Sequence, residues 1–221
     1  MTDACLIEVC EHETLVGAAE TVAFEAADWL GYRSLSGTVS VALPGAACPQ
    51  ALLEHLAARP IAWDRVTITT TEEHRVPEGH HHSCIGAVRR AFAGWSGSQA
   101  RFVSLGRPDA AASIKLPLDL VVLSLGSDGQ LACFPPCAMV REDASRPFVD
   151  FVRRPSAIEL PLSCRRWGLP ELVSSQRAFL LSAGATSKTA IDHALRNQDD
   201  SPLGAWFGQA RGVVSIHWAE S

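Results

Sequence analysis

Leu118–Leu125 constrains the chain more than any other stretch. In LDLVVLSL only Asp119 and Ser124 interrupt the apolar residues. The run is too short for a helix and rich in Val and Leu, which predicts a strand buried on both faces, as in the interior of a parallel sheet. Gly126 and Gly129, with Ser127 and Asp128 between them, predict a tight turn at its end. Ligands of open α/β sheets sit beyond the carboxyl ends of the strands. Asp128, Gly129 and Gln130 therefore stand where chemistry is expected.

The surrounding pattern alternates. Residues 13–30 carry Leu15, Val16, Ala19, Val22, Ala23, Ala26, Trp29 and Leu30 at helical spacing, with Gly31 as a stop. Strands are predicted at 36–43, 65–71, 101–105, 149–152, 158–162, 178–182 and 213–218. Helices are predicted at 49–58, 83–92, 169–175 and 188–196, the last capped by Thr186 or Ser187. Strands alternating with helices predict a mostly parallel α/β sheet covered on both faces, in one domain over residues 1–221.

Composition sets the exclusions. Hydrophobic residues make up 47% of 221, enough for a large core, and the net charge of −5 argues against a nucleic-acid partner. No uncharged apolar stretch reaches the length of a membrane span. Met1–Glu13 carries no basic leader region, and seven irregularly spaced Cys read as buried free thiols, so a reducing, cytoplasmic setting is expected. His80–His82 with Cys84 lacks the second ligand pair of a structural zinc site and reads as a solvated loop, and Cys133 and Cys137 read as neither metal ligands nor a disulfide. No metal is expected.

Five motifs in order carry a resemblance: VALPGAACPQALLEHLA, WDRVTITTTEEHRVP, SCIGAVRRAF, LDLVVLSLGSDGQLACFPP and FLLSAGATSKTAIDHAL. The chain resembles the 6-phosphogluconolactonases, relatives of the glucosamine-6-phosphate isomerases, over roughly residues 10–218. The resemblance implies a Rossmann-like fold and hydrolysis of 6-phosphogluconolactone to 6-phosphogluconate in the oxidative pentose phosphate pathway. It implies a small sugar-phosphate lactone as partner and no organic cofactor. It implies Asp128, Gln130, Glu73 and His74 at catalytic positions. Gly45, Ala46, Ala47, Arg75, Ser83, Gly129, Arg166 and Lys188 fall at substrate-binding positions.

The departures from the family fall on those same positions. Its presumed base, a His, is Gln130; its phosphate-loop Gly and Ser are Ala46 and Ala47; its Arg is His74, with Arg75 one place later; its Asn is Cys84. A Gln amide donates and accepts hydrogen bonds but takes no proton at neutral pH, and a placed base contributes about 10²–10⁴ in rate. His74, His80, His81, His82 and Asp128 are the candidate replacements. Two alternatives follow: a degenerate member that binds a sugar phosphate or a protein partner without turnover, and a lactonase for a changed lactone, an unphosphorylated one included.

Overall fold

The computed structural model describes residues 6–45, 48–126, 128–131, 134, 146–153, 162–197 and 201–221. Seven parallel strands form the main sheet: β1 (Ile7–His12), β2 (Val39–Leu43), β3 (Val66–Thr70), β5 (Arg101–Phe102), β6 (Leu120–Ser124), β9 (Arg177–Ala183) and β10 (Val213–Ala219). Their order is β1-β10-β9-β6-β2-β3-β5. β4 (Glu72–His74), β7 (Phe148–Arg153) and β8 (Leu162–Trp167) form a second, antiparallel sheet in the order β4-β8-β7.

Every residue of β2 and β6 is buried, as a strand covered on both faces requires. On one face Val41, Leu43, Leu120, Val122, Phe179 and Leu181 pack under α1 (Leu15–Ser34), α2 (Gln50–Ala57) and α3 (Cys84–Phe92). On the other, Val121, Leu123, Ala178 and Leu180 pack under α5 (Leu169–Val173), α6 (Ala185–Asn197) and α7 (Pro202–Gln209). A short helix, α4 (Ala110–Ser113), precedes β6. Each large apolar side chain buried this way contributes about 1.5–3 kcal/mol.

Asp119, the acid in the apolar run, is fully buried and satisfied. Its carboxylate accepts from the Ser40 N–H at 2.9 Å and from Lys115 Nζ at 3.3 Å, and Arg33 lies at 3.5 Å. It ties the start of β6 to β2. Those two strands pair only at Val41–Leu120 and Ala42–Val121, although both run on. β2 leads by way of β3 toward β5 at one edge, and β6 leads through β9 and β10 toward the other. The chain therefore changes direction between β2 and β6, where open α/β sheets hold their ligands.

Several local expectations need correction. α1 continues through Gly31 to Ser34, because Ala23, Ala26, Ala27 and Leu30 keep it packed on the sheet. Glu72–His74 is a separate strand rather than the tail of β3. α6 starts directly after Gly184, which places Thr186 and Ser187 inside its first turn instead of at its cap. β1 and α7 had no counterpart in the sequence reading. The signal for α7 was Ser201 before Pro202: Ser201 Oγ accepts from the Gly204 N–H at 3.0 Å, and Pro occupies the first turn. Of the strand expected at 158–162, only Leu162 is described, and it opens β8. Cys133 and Cys137 lie outside the described residues.

Candidate functional site

Two loops flank the change of direction. After β2, Gly45 lies against α3 and β4 so closely that a Cβ there would stand 2.5 Å from Cys84 Sγ and 3.3 Å from Glu72 Cγ. Only glycine fits. Ala46 and Ala47, expected to cradle a phosphate, lie outside the described residues.

After β6 the chain folds back on itself. Leu125 bridges Leu131, the Gly126 N–H donates to the Gln130 carbonyl at 2.8 Å, and the Gly129 N–H donates to the Gly126 carbonyl at 2.9 Å. Asp128 Oδ1 accepts from the Gln130 N–H at 3.1 Å, so this exposed carboxylate acts as a turn holder. Gly129 has φ +76°, and a Cβ there would meet Ala190 at 3.0 Å. From α6, Ser187 Oγ donates to the Gly126 carbonyl at 3.1 Å.

The second sheet forms the wall between these loops and sorts its charges by face. Residues opposed in an antiparallel pair share a face. Glu72 is opposed to Arg166, Glu73 to Arg165 and His74 to Cys164, while Asp150 is opposed to Arg165. Glu72, His74 and Arg166 thus lie on one face; Glu73, Arg165 and Asp150 lie on the other. The first face meets both loops. Glu72 packs on Gly45, and the Arg166 guanidinium stacks on the Phe134 ring 4.0 Å away while Nη1 donates to the Trp167 carbonyl at 3.0 Å.

His74 is buried on this face, and its Nδ1 lies 2.7 Å from the His82 carbonyl oxygen. A carbonyl can only accept, so Nδ1 carries the proton and Nε2 the lone pair. Thr70 Oγ1, Ser124 Oγ and Ser182 Oγ are buried at the carboxyl ends of β3, β6 and β9 without a hydrogen-bond partner among the described residues. Buried hydroxyls left unmatched are uncommon away from functional sites.

The other face is occupied by structural contacts. The Glu73 carboxylate accepts from the backbone N–H groups of His74 (3.0 Å), Cys84 (2.7 Å) and Ile85 (2.9 Å), and from Ser104 Oγ at 3.3 Å. Burial raises its pKa and these bonds oppose the rise. It anchors the N-terminus of α3, where Ser83 caps by accepting from the Gly86 N–H at 3.1 Å. Arg75 joins Arg165 on Asp150, with contacts of 2.8–3.1 Å. Bonding to Arg165, aided by both guanidinium charges, holds the Asp150 carboxyl below its ordinary range.

Lys188 also points elsewhere. Its ammonium donates to Glu11 and lies 4.9 Å from the centre of the Trp218 ring. One residue on, the helix has turned by about 100°, so Ser187 rather than Lys188 reaches the Gly126 turn. Of the expected residues, Glu73 and His74 gather with Cys84 beside Gly45, and Arg166 reaches Phe134 beyond the β6 turn. Ser83 caps α3, and Arg75 and Lys188 are paired with Asp150 and Glu11. Phe134 and Ser187 were missed as neighbours of the site, and Glu72 was given no position in it. Period-two alternation from His74 would have placed Glu72 beside it.

Glu73, His74 and Cys84 each bring a potential metal-ligating atom within 4.8 Å of the others. These donors are engaged: both Glu73 oxygens hold N–H groups, and His74 Nδ1 donates to His82. The trio fits a hydrogen-bond network better than a metal centre.

Comparison with known proteins agrees with this architecture. A model of the family "Glucosamine-6-phosphate isomerases/6-phosphogluconolactonase" matches residues 12–215. A 6-phosphogluconolactonase of Mesorhizobium japonicum is 32% identical over 199 residues, covering 83% of this chain and 82% of that protein. One of Pseudomonas aeruginosa is 29% identical over 205 residues, covering 82% of each. The crystal structure of a Shewanella baltica 6-phosphogluconolactonase superposes with a TM-score of 0.76 at 21% identity, over 99% of both chains. A monomeric glucosamine-6-phosphate deaminase superposes at 0.73 with 15% identity, over 96% of this chain and 97% of its own, so both branches share the fold. The chain belongs to the glucosamine-6-phosphate isomerase/6-phosphogluconolactonase family.

Proposed function

We propose that the protein hydrolyses a sugar-phosphate lactone of the 6-phosphogluconolactone type to its acid, with His74 in place of the family base. Water attacks the lactone carbonyl carbon as its proton passes to His74 Nε2, and the ring oxygen leaves and is protonated in turn. The supporting observation is the hydrogen bond from His74 Nδ1–H to the His82 carbonyl, which sets the tautomer a general base needs. Gln130, held by the Asp128 turn, polarises the carbonyl or orients the water, since its amide cannot take the proton. Arg166, at the crevice wall, favours an anionic substrate.

Acid release from 6-phosphogluconolactone above its spontaneous rate tests this reading, and His74→Ala is expected to lower kcat by about 10²–10⁴. Wild-type protein at the spontaneous rate would remove it. A second reading, a lactonase for an unphosphorylated sugar lactone, is favoured by Arg75 and Lys188 both being paired with acids. It requires faster turnover of gluconolactone than of its phosphate. Binding of 6-phosphogluconate without turnover of either lactone marks a degenerate binder.

A further inference from the structure

The His80–His82 run has no part in the chemistry above, yet its main chain touches His74. We propose that His80 is a positioning residue for His74, acting through the main chain of His82. This rests on the reading of His74 as the base.

The loop consists of two successive tight turns: the His80 N–H donates to the Pro77 carbonyl at 2.9 Å, and the Ser83 N–H donates to the His80 carbonyl at 3.0 Å. Within it, the His82 N–H donates to His80 Nδ1 at 3.1 Å, and the His82 carbonyl accepts from His74 Nδ1–H at 2.7 Å. His82 is thus held by one imidazole at its N–H and holds another at its carbonyl. A backbone N–H can only donate, so His80 Nδ1 must carry a lone pair. His80 is therefore the neutral Nε2–H tautomer. A side-chain acceptor two residues before the N–H it receives is the geometry of an Asx turn, for which Asn is the natural residue.

The surroundings crowd the link with imidazoles. The His80 ring stacks on His81 with centroids 4.3 Å apart, and His82 lies 4.0 Å from His81 and 5.4 Å from His80. Glu78 in the same loop is paired with Arg89 of α3, Arg75 is held by Asp150, and Glu73 is bound to the α3 N-terminus. Without the His80 ring the His82 N–H loses its acceptor. The turn then loosens, and His74 loses the carbonyl that selects its tautomer. A histidine that merely filled a surface loop would have no such consequence.

The test compares wild type, His80→Ala and His80→Asn as full-length chains, each checked for folding by circular dichroism. The first readout is the ¹⁵N chemical shifts of the His74 ring, which report its tautomer without requiring turnover. The second is kcat and KM for acid release from 6-phosphogluconolactone. In wild type, His74 is expected as the Nδ1–H tautomer. In His80→Ala it becomes a tautomer mixture, and kcat falls about tenfold to a hundredfold with little change in KM. His80→Asn restores both, because its amide oxygen accepts the same His82 N–H. The proposal is overturned if a folded His80→Ala keeps the wild-type tautomer and kcat, or if His80→Asn behaves no better than His80→Ala. His74→Ala separates the two layers. If it leaves activity intact, the base assignment fails; if it abolishes activity while His80→Ala does not change it, only the positioning role fails.

Discussion

Glu72 and Arg166 stand directly opposite one another across the β4–β8 pair, and neither is more than 3% exposed. A charge removed from water is tolerated only when an opposite charge and hydrogen bonds replace its hydration. Arg166 Nη1 donates to the Trp167 carbonyl and its guanidinium lies on the Phe134 ring, with Glu72 opposed to it in the ladder. Removing it takes away that charge-assisted bond and the ring contact. Arg166→Met is therefore expected to destabilise the protein by about 1–3 kcal/mol, read as a lower midpoint in urea unfolding. An unchanged midpoint would mean that these contacts contribute nothing.

Two strands along the sheet from Ser124, His217 sets a pH dependence of stability. Burial, with the neighbouring charges of His12 and Arg177, pushes its pKa down to about 4 from an ordinary 6.5. As pH falls below 6.5, the unfolded chain takes up a proton that the folded chain refuses until about pH 4. Stability is therefore full above 6.5 and declines across that window, by at most about 1.4 kcal/mol per pH unit from this group. Urea unfolding at pH 7 and pH 5 measures the decline. His217→Leu should remove this group's share of the slope, and an identical slope in the variant would contradict it.

The β6 turn depends on one left-handed residue. Gly129→Ala forces a Cβ to φ +76° and toward Ala190 at 3.0 Å. An L residue in this region costs about 1–2 kcal/mol, and the strain falls on the loop that carries Gln130. Activity is expected to drop more than global stability. Equal losses in both would show that the turn is simply part of the core.

α6 offers a contrast between neighbours. Ser187→Ala removes the bond to the Gly126 carbonyl, worth about 1 kcal/mol, and is expected to raise KM for the lactone. Lys188→Gln loosens the contact with Glu11 and Trp218 at the β1 edge and is expected to change KM less. Kinetics of the two variants side by side decide the matter. A larger effect from Lys188 would return it to the substrate.

Gln130→His restores an imidazole to the turn after β6. In a His74→Ala background it is expected to recover part of the lost kcat, with a pH profile shifted toward that of a new base. No recovery would show that the turn no longer points at the reacting carbonyl.

The alternation of strands and helices, the doubly buried Leu118–Leu125 run and the turn at Gly126–Gln130 were all legible in the sequence. Each follows from residues close together in the chain: apolar periodicity, β-branching and glycine placement act locally. β1 and the short charged β4 were not legible. An edge strand is half exposed, and three polar residues carry no pattern until β8, about ninety residues later, pairs with them. The roles within the site needed the same long-range register. Whether Glu73 or His74 faces the crevice depends on which residue opposes Arg166. Whether Lys188 or Ser187 meets the β6 turn depends on one step of helix rotation. Composition and spacing determine which elements form, whereas the direction of each side chain is decided by the partners that tertiary packing brings to it.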